Sequence, residues 1–287
     1  MARRKPPTTH GLAVVDKPAG VTSHDVVATL RKRFDERQVG HAGTLDPDAT
    51  GVLLVGVGKA TRLLRFLTAL GKTYTAEIVL GTSTSTLDAG GEVTGTFDMS
   101  AVTCDMARAA VAQHLTGPIM QIPPMVSALH VDGRRLHELA REGIEIEREP
   151  RPVTVHSFDV TASDDPSVLR IEVRCSAGTY IRSLADDLGR LLGGGAHLRN
   201  LRRTAVGSFG EDEARPPGES ELMSPVEALR DYPRVTVDES VAAMVRHGRV
   251  LDRFDGGGPW AVTDAQGALL AVYETFGTSA KPAVVIA

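Results

Sequence analysis

KTYTAEIVLGTSTSTLDAGGEVTGTF, residues 72–97, is the stretch from which the fold is read. Residues 72–81 alternate apolar and polar side chains and are rich in Thr, Tyr, Ile and Val, the signature of a half-buried strand. Gly90-Gly91 marks a turn, so GEVTGTF, 91–97, is expected to fold back as the antiparallel partner of 72–81. Such a hairpin favours antiparallel pairing, because parallel neighbours need a long crossover.

Working outward, GLAVV (11–15) reads as a short buried strand, Ser23 as the N-cap of a helix running to about Phe34, and 35–50 as loop. KATRLLRFLTAL (59–70) fits a basic amphipathic helix. Downstream, 104–115 and 134–142 read as helices, the second stopped by Gly143. RPVTVHSFDV (151–160), SVLRIEVRCS (167–176) and RNLRRTAVGSF (199–209) read as strands. TYIRSLADDLGRLL (179–192) places Ile181, Leu184, Leu188 and Leu191 on one helical face, and the glycines at 193–195 end it. Residues 234–287 alternate short Val/Leu segments with Gly/Asp turns, which suggests a small β-rich domain. Hairpins interleaved with helices define an α+β fold, a mixed, largely antiparallel sheet flanked by helices, and not a doubly wound parallel one.

With 42% hydrophobic and 24% charged residues, the composition is that of an ordinary globular chain. No apolar run reaches the ~18–20 residues of a membrane span, so no membrane partner is expected. The basic N-terminal start gives way too soon to proline and polar residues for a signal peptide, and a cytoplasmic location is expected. Cys104 and Cys175 are far apart and lack a CxxC partner or metal spacing, so two free thiols and no metal are expected. The net charge of −4 is concentrated in EDEARPPGESEL, 211–222, where five carboxylates face Arg215 alone (1 − 5 = −4), leaving the rest neutral. Within that rest, 31–65 holds seven Lys/Arg against four Asp/Glu, and 182–203 holds five Arg against two Asp. Charge alone leaves open whether these form a basic surface or a mixed solvated one. The acidic stretch, with few apolar residues to bury, is the expected boundary between a domain over 1–215 and a second over 225–287.

Several familiar signatures fail. Asp46-Pro47-Asp48 opens like a calcium loop, but the twelfth position is Val57 where a bidentate Glu belongs. Gly71-Lys72-Thr73 ends like a phosphate loop, but Phe66 stands where the first glycine belongs, and Gly56-Val57-Gly58 meets Thr61 in place of its third glycine. What remains is GHAGTLDPDATG, 40–51, a tight loop presenting Asp46 and Asp48 ahead of the apolar run VLLVGVG. Read as chemistry, it is either a capping turn whose aspartates bond backbone amides or a loop that offers a carboxylate to a substrate.

That segment resembles the signature of the tRNA pseudouridine-55 synthase family. The resemblance makes Asp46 the catalytic carboxylate and His41 the residue that displaces and holds the target base. Other segments resemble the family in the same order. VVDKPAGVTSHDVV (14–27) matches its opening motif, with Lys17 and Pro18 structural, and Gly71-Lys72-Thr73-Tyr74 matches the strand whose tyrosine, here Tyr74, stacks on the flipped base. GTYIRSLADDLG (178–189) carries Tyr180 as an active-site aromatic and Arg182 as the partner of the aspartate, and LRRT (201–204) carries Leu201 as the apolar pocket wall. QIPPMVSALHVDGRRLHELAREGIEIER (121–148) resembles the RNA-facing insertion, placed at about 121–150. It departs at His130, where a lysine is usual, and at His137, where a tyrosine is usual, which puts its phosphate contacts and stacking in doubt.

The resemblance implies a pseudouridine synthase catalytic domain with a small PUA-like RNA-binding domain at the C-terminus. It also implies a monomer that isomerises the T-loop uridine of the tRNA T-stem-loop with no cofactor and no guide RNA. A carboxylate suffices because the reaction is redox-neutral: a C–N glycosidic bond breaks, the uracil turns over, and a C–C bond forms. The carboxylate must stay ionised in a closed pocket, which burial opposes and a guanidinium favours. Extracting a stacked base costs a few kcal/mol, which ~1–3 kcal/mol of stacking on one aromatic ring partly offsets. Two other readings compete, a non-catalytic RNA-binding protein and a guide-dependent synthase; turnover of bare tRNA separates all three.

Overall fold

A computed structural model of the chain describes residues 7–127, 130–131, 134–135, 142, 144 and 146–286. In chain order, β1 (Gly11–Lys17), α1 (Ser23–Arg33), β2 (Val39–Ala42), β3 (Thr50–Val57) and α2 (Leu64–Ala69) come first. Then follow β4 (Lys72–Leu80), α3 (Cys104–Ala110), β5 (Gly117–Gln121), β6 (Arg151–Ala162), β7 (Val168–Cys175), α4 (Ile181–Leu191) and β8 (Ala196–Val206). The tail adds β9 (Arg234–Thr236), α5 (Glu239–Arg246), β10 (Leu251–Asp252), β11 (Trp260–Thr263), β12 (Leu269–Phe276) and β13 (Ser279–Val285). The architecture is α+β with mostly antiparallel strands. Two compact units divide it: one runs to Pro47 and includes Gly51–Ala69 and everything from Val206, and the other holds Asp48–Thr50 and Leu70–Ala205.

In the first unit, β3 pairs antiparallel with β1, from Gly11 opposite Val57 to Lys17 opposite Gly51, and with β2, where His41 lies opposite Val55. β2 falls inside the stretch expected to be loop; four residues containing Gly40 carry too little pattern to announce a strand, and the pairing with β3 supplies it. The cap of α1 is Thr22, not Ser23. The Thr22 hydroxyl accepts from the Asp25 amide and the Asp25 carboxylate accepts from the Thr22 amide, a reciprocal capping box. The expected helix at 59–70 is a 3-10 turn over Gly58–Leu63 followed by α2.

The acidic stretch expected to bury little is a strap laid along β1. Leu12 and Met223 exchange two backbone bonds of 3.0 and 2.9 Å, the Arg215 amide donates to Val14 O at 3.1 Å, and the Asp16 amide donates to Arg215 O at 2.8 Å. Gly11 permits this approach: a Cβ there would meet Met223 O at 2.6 Å. Arg33 donates from Nε to Ser220 O at 2.7 Å, and Ser220 and Ala214 are buried. Backbone pairing holds the strap in place of the apolar side chains it lacks. Arg230 then clasps Glu213 through both guanidinium nitrogens while lying 4.1 Å over the Phe209 ring.

The tail sheet runs β9-β11-β12-β13-β10, with β9 parallel to β11 and the remaining neighbours antiparallel. Trp260, Val262 and Tyr273 form its core with Ala242 and Val245 of α5, which Asp238 caps by accepting from the Val241 amide. Tyr232 ties the tail to α2, donating its hydroxyl to Phe66 O at 2.8 Å.

The second unit orders its strands β8-β4-β7-β6-β5. β4 alternates as read, with Lys72, Tyr74, Ala76, Ile78 and Leu80 buried. Its partner is not 91–97. Tyr74 lies opposite Val173 of β7, while Val93–Thr96 pairs with Thr82–Thr84. VLRIEVRC offers β4 eight residues of matching alternation, whereas Val93 is 65% exposed and has no apolar face to bring. On α4, Ile181, Leu184 and Leu188 are buried as expected, but Leu191 is 43% exposed because the helix ends there. The expected helix at 104–115 is α3 followed by a π-helical turn over Val111–Leu115. Arg134–Arg135 pairs with His130–Val131 in a two-residue ladder, so the expected helix at 134–142 does not begin there; His137 lies outside the described residues.

Candidate active site

In the first unit, Asp46 sits half-buried in the loop between β2 and β3, and that loop is bound on both sides of it. Gly43, at φ +82°, turns the chain out of β2. The Ser23 hydroxyl, not needed as a cap, donates to Leu45 O and accepts from the Leu45 amide, each at 3.0 Å, fixing the residue immediately before Asp46. Lys17, fully buried, donates from Nζ to Pro18 O, Val21 O and Pro47 O at 2.9, 2.6 and 2.8 Å, and the Gly20 amide donates to Pro47 O at 3.0 Å. Asp46 is thus held between two pinned neighbours, with Leu45 itself buried. His41, on β2, meets the exposed His24 ring edge-on at 5.4 Å.

In the second unit, Tyr74 on β4 and Leu201 on β8 occupy neighbouring strands, Tyr74 buried and Leu201 half-buried. Two residues from Tyr74 on the same face, Lys72 donates to Leu70 O at 2.6 Å. Burial, then the nearby Arg203, push the Lys72 ammonium down to about 8. Across the pair, burial pushes the Cys175 thiol up to about 11. Tyr180 is the N-cap residue of α4 and Arg182 its second residue. Arg182 is 4% exposed; it donates from Nη1 to Thr86 O at 2.9 Å and from Nη2 to Val126 O at 2.8 Å, and Asp88 lies at 3.4 Å. The guanidinium therefore bridges two loops and carries its charge into a buried setting.

Sequence reasoning missed three buried polar residues here. Gln121, 2% exposed, accepts from the Tyr180 amide at 2.8 Å and donates to Tyr180 O at 3.0 Å. Ser183 donates to Ile122 O at 3.0 Å, and Arg203 is 1% exposed. Each lies inside a quoted segment without being singled out there, and Gln121 and Ser183 acquire these partners only when distant segments meet. Among the described residues, no group of three or more His, Cys, Asp or Glu is arranged to hold a metal ion, and no helix is long and apolar enough to cross a membrane.

The two units carry these features separately: a carboxylate on a pinned loop in the first, and a buried arginine and a buried tyrosine in the second. The family follows from comparison. The N-terminal domain of the TruB family pseudouridylate synthases matches residues 31–181, the tRNA pseudouridylate synthase B C-terminal domain matches 182–241, and the tRNA pseudouridine synthase II C-terminal domain matches 232–287. The chain is 47% identical over 299 residues to the tRNA pseudouridine synthase B of Rhodococcus jostii (strain RHA1), spanning 99% of this chain and 97% of that protein. It is 49% identical over 276 residues to that of Corynebacterium aurimucosum, with 93% of each chain spanned. It resembles the solved structure of a Cbf5-Nop10-Gar1 complex at 27% identity and a TM-score of 0.74, covering 96% of this chain and 85% of that one. An H/ACA RNP bound to a substrate RNA containing 2'-deoxyuridine resembles it at 26% identity and a TM-score of 0.71, with 96% and 85% covered. The chain belongs to the TruB family of tRNA pseudouridine synthases, and it is an RNA-binding isomerase that acts in tRNA processing.

Proposed function

We propose that the chain converts the T-loop uridine at position 55 of tRNA to pseudouridine, with Asp46 as the catalytic carboxylate. The observation that carries this is the loop 43–47, whose backbone Ser23 and Lys17 fix on both sides of Asp46. A catalytic group must be held to a fraction of an ångström to act, and a mere surface turn needs no buried lysine beneath it.

In this reading the uridine leaves its stack and enters the pocket with Tyr74 against its face and Leu201 as the wall, while His41 fills the space it vacates and Tyr180 lines the site. Arg182 supplies the positive charge that the family resemblance pairs with the catalytic carboxylate. The glycosidic nitrogen is released, the ring turns, and its carbon is joined to the sugar. The proton lost from that carbon balances the one gained by the freed nitrogen, so no oxidant, reductant or cofactor is consumed.

The tail, 225–287, supplies affinity as a PUA-like domain. Of its six cations, Arg246, Arg249, Arg253 and Lys281 stand on or beside β10 and β13 or at the end of α5, and the exposed Phe276 lies 4.8 Å beneath the Lys281 ammonium. Arg246 is paired with Glu239, and this reading assigns Arg249, Arg253 and Lys281 to phosphate contacts.

The test is to incubate an unmodified tRNA transcript with the purified chain and no guide RNA, and map the product by sequencing. Pseudouridine at position 55 is expected with the wild type and none with Asp46→Asn, which keeps the shape of the side chain and loses its charge. Turnover by Asp46→Asn removes Asp46 from the chemistry. Tight binding without turnover by the wild type makes the chain an RNA-binding protein in this assay.

A further inference from the structure

Gln121 ends β5 at the root of the RNA-facing insertion, and its amide makes a two-point clamp on one residue of another element. It accepts from the Tyr180 amide and donates to the Tyr180 carbonyl, at 2.8 and 3.0 Å. Tyr180 begins α4 with no side-chain cap of its own. Gln121 supplies from a distant strand the acceptor that a backbone amide at a helix start requires. The stitching continues along both segments: Ser183 holds Ile122 O at 3.0 Å, and Arg182 holds Val126 O at 2.8 Å. Tyr180, Ser183 and Arg182 are therefore tied to Gln121, Ile122 and Val126 respectively, the residues that lead into the insertion.

We infer that Gln121 is a positioning residue for the isomerisation, setting where Arg182 points by fixing the backbone two residues before it. This rests on the proposed role of Arg182. The geometry favours it because a helix start defines the direction of its first side chains. Arg182 reaches its acceptors from the first turn of α4, so a tilt of that turn displaces the guanidinium. Through Gln121, Ile122 and Val126, the root of the insertion and the first turn of α4 form one hydrogen-bonded body.

The experiment measures single-turnover rate constants and tRNA dissociation constants for the wild type, Gln121→Met, Gln121→Glu, Arg182→Lys and the Gln121→Met/Arg182→Lys pair, each confirmed folded by circular dichroism. Gln121→Met keeps length and burial and removes both bonds. We expect its rate to fall about 10- to 100-fold, the scale of a small misplacement of a catalytic group, with tRNA affinity within about 2-fold. In the Arg182→Lys background the same change should have little further effect. Gln121→Glu restores the acceptor at all pH values and the donor only when protonated. Its rate relative to wild type should rise as the pH is lowered from about 8 to about 6, a profile that general loosening of the fold does not produce. Should Gln121→Met fail to fold, that profile alone decides the matter. Multiplicative losses in the double variant, or a Gln121→Met rate equal to wild type beside a slow Arg182→Lys, would overturn the inference and leave the role of Arg182 intact. A wild-type rate for Arg182→Lys would overturn both.

Discussion

Asp187 offers a test of the electrostatics that needs no RNA. It lies on α4 next to buried Asp186, which pairs with Arg190 at 2.9 Å. Burial first and the adjacent Asp186 second push the Asp187 carboxyl up to about 6 from 3.8, with Arg190 pulling the other way. In the unfolded chain the group ionises near 3.8 and in the native chain near 6, so the native state alone holds the proton between those values. Its charge consequently destabilises the fold. The penalty is absent below the lower value, grows as the pH rises between the two, and is complete above the upper one. A shift of about two pH units corresponds to about 3 kcal/mol at 1.36 kcal/mol per unit. Because the side chain is only partly buried, solvent screening reduces this to about 1–2 kcal/mol. Asp187→Asn resembles the protonated acid and avoids the penalty. At about pH 7.5 it should raise the melting midpoint by ~2–5 °C, and at about pH 4 it should leave it nearly unchanged. The assay is thermal unfolding of both proteins at both pH values. No gain at the higher pH, or an equal gain at the lower, refutes the reasoning, since the second result would reflect packing and not charge.

Tyr74→Leu should lose far more rate than tRNA affinity, because RNA is gripped mostly through its backbone, which this ring does not touch; single-turnover kinetics beside filter binding checks it, and an unchanged rate removes the stacking role. Replacing Arg249, Arg253 and Lys281 together by Ala should weaken binding of full-length tRNA and flatten its salt dependence by about 0.9 for each phosphate no longer neutralised. Turnover of a T-stem hairpin by the same variant should be unaffected, which kinetics on both substrates will show. A chain ended at Glu221 should melt well below one ended at Ser224, because only the longer one keeps the Met223–Leu12 ladder; equal midpoints would mean that this ladder contributes nothing.

The strand at 72–80 is legible in the sequence because its two faces differ, and so are the alternating runs of β6 and β7. Its partner is not, since Val93–Thr96 and Val168–Cys175 both read as strands and only the burial of an apolar face chooses between them. Asp46, Arg182 and Tyr74 stand out through motif resemblance. Ser23 is visible too, but as the wrong device: the capping box belongs to Thr22 and Asp25, and the Ser23 hydroxyl serves a loop 22 residues away. Gln121 opens the quoted segment 121–148, but nothing there marks its role, because a buried amide announces itself only by what it touches. The stretch 211–222 misleads when read by composition, which counts side chains to bury and overlooks backbone groups that can pair.

The strap has a consequence in time. One edge of β1 lacks its covering until Arg215 and Met223 have been synthesised, so its Leu12 to Met223 ladder closes only after roughly two hundred further residues have been added, about ten seconds or more at ~5–20 residues per second. Through that interval GLAVV presents one of the most apolar strands in the protein with an uncovered edge, the condition under which nascent chains associate wrongly. Yield of soluble protein should therefore depend on how fast the ribosome traverses the middle of the message, even when the finished fold is identical.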